Sequence, residues 1–318
     1  MRLPRAQRDD LVHVHPMPAW LLAARLAVAL AAVPAAMRAQ DLEPRAYSPS
    51  PVGVNFLVAA FGRSTGGVIT DPSLPISDVS AHINAFTVGY ARSFALFGRQ
   101  ATASAALPYG WGDAEGNVFE ERQRVTRSGL TDLKAKIAVN LYGSPALTPE
   151  EFAKRSRGII VGASFAISAP TGQYDQTKLI NLGTNRWAFK PEVGISVPWK
   201  RFDFDAYAGV IFFTENPNFF PGTATRTQDP LETVQLHIDY TFRPGLWLAL
   251  DGTWYGGGAA RVNDSPPGTR LSNSRVGATL SIPVARRQSV KLNYSTGASV
   301  RAGSNFDTFA AAWQILWF

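Results

Sequence analysis

Residues Arg201 to Phe212 read Arg-Phe-Asp-Phe-Asp-Ala-Tyr-Ala-Gly-Val-Ile-Phe. One row of alternate positions holds Phe202, Phe204, Ala206, Ala208, Val210 and Phe212; the other holds Asp203, Asp205, Tyr207, Gly209 and Ile211. A period of two marks an extended strand with two unlike faces, because successive side chains point to opposite sides. Leu231 to Phe242 repeats the pattern, setting Val234, Leu236, Ile238, Tyr240 and Phe242 against Gln235, His237, Asp239 and Thr241. Leu130–Leu141 sets Leu133, Ala135, Ile137 and Val139 against Asp132, Lys134, Lys136 and Asn140. Ser289–Val300 sets Val290, Leu292 and Tyr294 against Lys291, Asn293 and Ser295.

Twelve such segments follow one another: 52–63, 82–94, 99–112, 130–142, 158–170, 185–198, 201–215, 230–242, 246–259, 271–283, 288–302 and 307–318. The number is even, and roughly 9 to 11 residues suffice for a tilted strand to cross a bilayer. Short joints (94–99, 198–201, 242–246, 283–288) alternate with long stretches rich in Gly, Pro, Asp, Asn and Thr (64–81, 113–129, 171–184, 216–229, 260–270). Two connections depart from that rule: the last outer loop, about 303–307, is short, and Tyr142–Arg157 is long. The latter carries Thr148-Pro149-Glu150-Glu151, a helix start with Thr as N-cap, Pro at N1 and Glu at N3. These features predict an all-β fold, a transmembrane antiparallel up-and-down β-barrel of about 12 strands with periplasmic N- and C-termini. The competing architecture, a soluble β-sandwich or lipocalin-like fold, would require most aromatics inside a core.

Composition agrees with a barrel. Charged residues are 17% of the chain, below the roughly 25% of soluble globular proteins, and mean hydropathy is −0.04, too low for a helical membrane bundle. The absence of cysteine excludes disulfide frameworks, thiolate metal sites and cysteine nucleophiles. Residues 1–39 read as a signal peptide: a basic start (Arg2, Arg5, Arg8), an apolar stretch Leu26–Ala36 and small residues ending at Ala39. Met17 is an alternative start, and Met37 is an imperfect residue for the cleavage context. Residues 40–51 then form a short periplasmic segment and 52–318 the barrel. Without 1–39 the formal charge falls from +7 to +4, because five Arg and two Asp leave with it. A nucleic-acid partner thereby loses its main support.

The chain ends Trp313-Gln314-Ile315-Leu316-Trp317-Phe318, a terminal aromatic on an alternating strand, the expected signal to the barrel-assembly machinery. Tyr109, Trp111, Trp187, Trp199, Trp247, Trp254, Tyr255, Trp313 and Trp317 fall near strand ends, as aromatic girdles at the two interfaces require.

Several stretches resemble the outer-membrane family named for the meta-pathway of phenol degradation. They are Asn55-Phe56-Leu57-Val58, Asp71-Pro72-Ser73-Leu74-Pro75, Tyr90-Ala91-Arg92-Ser93-Phe94 with Phe97-Gly98-Arg99, and Gly172-Gln173-Tyr174-Asp175 running on through Lys178–Trp187 to Phe189-Lys190-Pro191-Glu192. Tyr240–Trp247 and Phe306-Asp307-Thr308 continue the similarity, which spans about 52–318. The resemblance implies an outer-membrane transporter linked to aromatic catabolism; it implies no defined substrate and no catalytic residues.

If the apolar rows face lipid, the polar rows face the lumen. The candidate pore-lining residues are His82, Arg92, Lys134, Lys136, Lys190, Glu192, Asp203, Asp205, His237, Asp239, Asp251, Arg275 and Lys291, with Asn84 and Asn293 beside them. Both signs of charge occur, so no simple anion or cation filter is read here. The row equally fits a network of paired charges that stiffens the barrel. An enzyme is not expected: outside 1–39 only His82 and His237 remain, neither with Ser or carboxylate at a spacing known for catalysis, and no cofactor or metal signature is present. Asp175 and Asn181 lie in a long loop, where such residues are usually turn formers.

The functional expectation is a channel of the Gram-negative outer membrane for passive uptake of small molecules, with aromatic or other poorly polar compounds as the expected class, surrounded by lipid and lipopolysaccharide. The alternative is a structural or adhesive barrel with an occluded lumen.

Overall fold

The structure is a computed structural model that describes residues 42–68, 76–118, 121–178, 180–220, 222–264, 267–268, 270–300 and 305–318. The expected signal peptide, 1–39, and the Asp71–Pro75 motif lie outside the described residues.

The chain is nearly all β: β1 (Asn55–Val68), β2 (Ile76–Leu96), β3 (Arg99–Val118), β4 (Glu121–Leu130), β5 (Leu133–Tyr142), β6 (Ile160–Ala169), β7 (Ala188–Trp199), β8 (Phe202–Phe213), β9 (Asn216–Phe219), β10 (Ala224–Gln228), β11 (Leu231–Arg243), β12 (Leu246–Gly257), β13 (Ala260–Val262), β14 (Leu271–Ala285), β15 (Gln288–Val300) and β16 (Asn305–Trp317). Each wall strand pairs antiparallel with its neighbour, and β1 closes on β16 from Asn55↔Trp317 to Gly67↔Asn305. The result is a closed barrel of twelve staves, one of them made jointly by β4 and β5. Closure of β1 on β16 leaves the wall without a free end strand, as hydrocarbon demands, while β4 is paired on its β3 side. The short strands β9, β10 and β13 form a separate sheet at the loop end.

The joint stave breaks at Thr131–Asp132. Its outer half, β4, pairs with β3 from Tyr109↔Leu130 to Val118↔Glu121, and its inner half, β5, pairs from Ala101↔Val139 to Ala106↔Lys134. Alternation in 113–129 is poor, so this outer half reads as loop in the sequence although the backbone is paired. β2 and β3, with 21 and 20 residues, have about twice the length a bilayer needs, and with β4 they stand beyond the wall. The β2–β3 turn shows why short joints are short: Phe97 (φ 49°) and Gly98 (φ 73°) both take positive φ, the two-residue turn whose twist suits a hairpin. Helix α1 (Pro149–Ala153) forms where the sequence places it. The Glu151 amide donates to Thr148 Oγ1, and the Thr148 amide donates to the Glu151 carboxylate at 2.8 Å.

The two faces of each strand sort as the period requires. Phe204, Phe212, Leu236 and Ile238 are 40–60% exposed on the outside, whereas Asp205, His237 and Asp239 are buried inside. Buried polar side chains outnumber buried apolar ones, the inverse of a soluble core. Of the aromatics read as girdle residues, Tyr109, Trp111, Trp187, Trp199, Trp254, Trp313 and Trp317 are exposed outward. Trp247 and Tyr255 are corrections: they share the parity of Asp251 on β12 and are buried inside.

Candidate functional site in the lumen

The inward rows meet across neighbouring strands. Register places His237 opposite Asp205 on β8 and Asp251 on β12, with Asp239 opposite Asp203. His237 Nδ1 lies 2.7 Å from Asp251 Oδ1; Asp251 Oδ2 accepts from Thr279 at 2.7 Å, whose Oγ1 also accepts from Asn293 at 2.9 Å. Two staves from β11, on β7, Lys190 pairs with Glu192 at 2.7 Å. Arg275 is buried and donates to Ser295.

A segment the sequence reading leaves outside joins these rows. Residues 42–50, assigned to a periplasmic stretch ending at 51, lie inside the barrel, because Glu43, Arg45, Ala46 and Tyr47 find their partners on the inward rows. The Glu43 amide donates to Gln235 Oε1 (3.0 Å), and its carboxylate accepts from Lys136 Nζ at 2.6 Å. Arg45 donates from its amide to Asp205 Oδ2 (3.0 Å), from Nε to Asp239 Oδ1 (3.1 Å) and from Nη2 to Thr241 (2.7 Å), with Asp203 at 3.4 Å. Its guanidinium lies 4.5 Å from the centre of the Trp247 ring. Tyr47 donates toward Ser164 and Glu192, and Asn140 donates to the Tyr47 carbonyl at 3.2 Å. Gly162 and Gly194 leave room for the Tyr47 ring, which a Cβ at either would strike. At the foot of this plug, Ser93 donates to the Pro51 carbonyl at 2.6 Å and accepts from the Val54 amide.

Lys134, Lys136, Lys190, Glu192, Asp203, Asp205, His237, Asp239, Asp251, Arg275 and Lys291 therefore occupy inward rows, and most converge on the plug or on one another. His82 and Arg92 do not. They share the parity of Phe86, Val88 and Tyr90, the exposed outward row of β2; His82 is 45% exposed and faces Asp113 at 3.7 Å on the tall hairpin. Polar residues end an outward row where the strand leaves hydrocarbon, so polarity at a strand end does not signal the lumen. Parity within β2 carries this information. The plug residues Glu43, Arg45 and Tyr47 gave no periodic signal; only their charged and aromatic character within a Pro-rich stretch marked them.

At the loop end Tyr174, Asp175, Gln176, Asn185 and Asn218 line an open cavity of about 420 Å³. Asp175 and Asn181 act there as turn formers. Asp175 Oδ1 accepts from the Thr177 amide and hydroxyl, and Asn181 brackets the turn by bonding the Asp175 amide and carbonyl. The Thr177 bonds and neighbouring Lys178 hold the Asp175 carboxyl down at about 2. Among the described residues no group of His, Asp or Glu is placed to hold a metal ion.

The profile of the family described as "Putative MetA-pathway of phenol degradation" matches residues 60–315. The chain belongs to that family. No curated protein sequence matches it. Among solved structures, this family member is similar in fold to an outer membrane channel from Pseudomonas putida F1, with TM-score 0.72 and 19% identity over 86% of this chain and 99% of that one. The beta domain of the Bordetella autotransporter BrkA aligns with TM-score 0.51, 12% identity and coverage of 83% and 100%. The transport unit of the autotransporter AIDA-I from Escherichia coli aligns with TM-score 0.50, 10% identity and coverage of 84% and 91%.

Proposed function

We propose that this family member is an outer-membrane channel for passive uptake of small, aromatic or poorly polar solutes, closed by its own N-terminal segment in the state described here. Lipid and lipopolysaccharide surround it, and the short-turn end faces the periplasm. The observation that carries the reading is how the plug is held. Its amides at Glu43, Arg45 and Ala46 donate to side chains (Gln235, Asp205 and Tyr207), not to the ladder of a wall strand. A plug held by side chains can leave while every wall hydrogen bond survives. The family description, the polar lumen and the likeness in fold to a channel support the same reading.

The filled lumen favours a second reading, a sealed structural or adhesive barrel. Single-channel conductance and solute-driven swelling of proteoliposomes separate the two. A channel opens in discrete steps and admits small aromatic solutes, whereas no conductance and no swelling under any voltage or solute would establish the sealed barrel. Lys136→Glu should change the ion selectivity of the open state.

A further inference from the structure

Arg45 sits in a bay that is built for a cation and holds acceptors Arg45 does not use. Asp203 and Asp239 accept from its guanidinium and Asp205 from its amide, Thr241 accepts from Nη2, and the guanidinium lies over the Trp247 ring. Carboxylates with an aromatic face are the chemistry that recognises guanidinium and ammonium groups. Asp205 Oδ1 and Asp239 Oδ2 are buried without a hydrogen-bond partner among the described residues, as is Nε2 of the adjacent His237. The bay thus keeps spare acceptor capacity with Arg45 in place. Of the other charges facing it, Arg157 pairs with Asp203, Lys291 lies 5.6 Å from the Trp247 centre, and Asp251 holds His237. With Arg45 withdrawn, Asp203, Asp205, Asp239 and Asp251 outnumber Arg157 and Lys291, and buried carboxylates left unpaired are costly. A departing plug therefore leaves an excess of buried negative charge that a replacement cation would neutralise.

We propose that Asp203, Asp205, Asp239 and Trp247 form a binding site for small organic cations bearing a guanidinium or alkylammonium group, and that Arg45 is a tethered occupant which such a solute displaces. The inference rests on the channel reading for its consequence, the opening of the lumen, but the site can be tested alone. The chain has no cysteine, so Pro44→Cys introduces a unique thiol beside Arg45, buried while the plug is seated. In proteoliposomes, methylguanidinium chloride at millimolar concentration should speed maleimide modification of P44C at least about fivefold over sodium chloride of equal strength, a modest coupling between two sites. P44C/R45Q should react quickly without added cation, and P44C/D239N should need more methylguanidinium. Heat-modifiable gel mobility identifies any variant that fails to form its barrel; D239N carries the test if R45Q does not fold.

Equal rates in the two salts would overturn the proposal, as would P44C/R45Q reacting no faster than P44C. Conductance recorded on the same samples separates the two readings. Faster modification without conductance keeps the cation site and removes the channel. Conductance in R45Q, with P44C indifferent to methylguanidinium, keeps the channel and removes the site.

Discussion

Leu236→Arg tests the orientation on which the whole architecture depends. Leu236 is 60% exposed near the middle of β11, on the outward row with Val234, Ile238 and Phe242. In a soluble β-protein so exposed a position would tolerate arginine within about 0.5 kcal/mol. In a barrel wall the guanidinium would enter hydrocarbon, at a cost of about 2–4 kcal/mol at the midplane and about 0–1 near the interfaces. A strand tilted by about 40° rises about 2.5 Å per residue through the membrane, so Phe242 lies about 15 Å below Leu236, beyond half of an apolar band about 25 Å tall. Phe242→Arg should therefore cost under about 1 kcal/mol of charge burial, although the change is chemically similar. Urea unfolding in lipid vesicles, followed by tryptophan fluorescence, reads both variants on one scale. Equal stability of Leu236→Arg and the parent protein would refute the lipid-facing assignment of this row.

Gly162→Ala places a methyl group against the Tyr47 ring without touching any charge, so it should unseat the plug and raise open probability in planar bilayers while leaving barrel stability near that of the parent. Asp132→Ala removes the acceptor of the Gly172 amide (3.0 Å) and of the Thr184 amide and hydroxyl (3.0 and 2.6 Å). Each donor left unsatisfied costs about 1–3 kcal/mol, and limited proteolysis within 171–184 should accelerate. The carboxyl of Asp175 titrates at about 2, below its ordinary 3.8. Its contribution to the turn is therefore complete above about pH 4 and fades as pH falls toward 2; carbon-13 NMR of a selectively labelled sample would show a midpoint near 2, against an ordinary midpoint in Asp175 if the Thr177 bonds are absent.

The wall was legible because hydrocarbon on one side and water or polar groups on the other write a period of two into each stave. Arg201–Phe212 and Leu231–Phe242 differ from β8 and β11 by a residue or so at their ends. β4 was not legible, since above the membrane neither face is apolar, and only pairing with β3 reveals it. His82 and Arg92 show the same limit on β2: near strand ends both rows turn polar, and the side must be taken from parity with Phe86 and Tyr90. The plug could not be read at all from periodicity. Glu43, Arg45 and Tyr47 lie in irregular backbone, and their partners are more than ninety residues away in sequence.

The seam between β1 and β16 gives this arrangement a temporal order. Segment 42–54 leads directly into β1, and β1 meets β16 over thirteen registered pairs only when staves from opposite extremes of the wall are both at hand. Contacts so remote in sequence form slowly and late. The nascent cylinder thus remains a curled, open sheet until its last stave arrives, and Arg45 can reach Asp239 from the side during that interval. On the channel reading, occupancy of the interior is then coupled to biogenesis: a segment seated before the seam closes leaves the molecule corked from the start, and uncorking becomes a separate event.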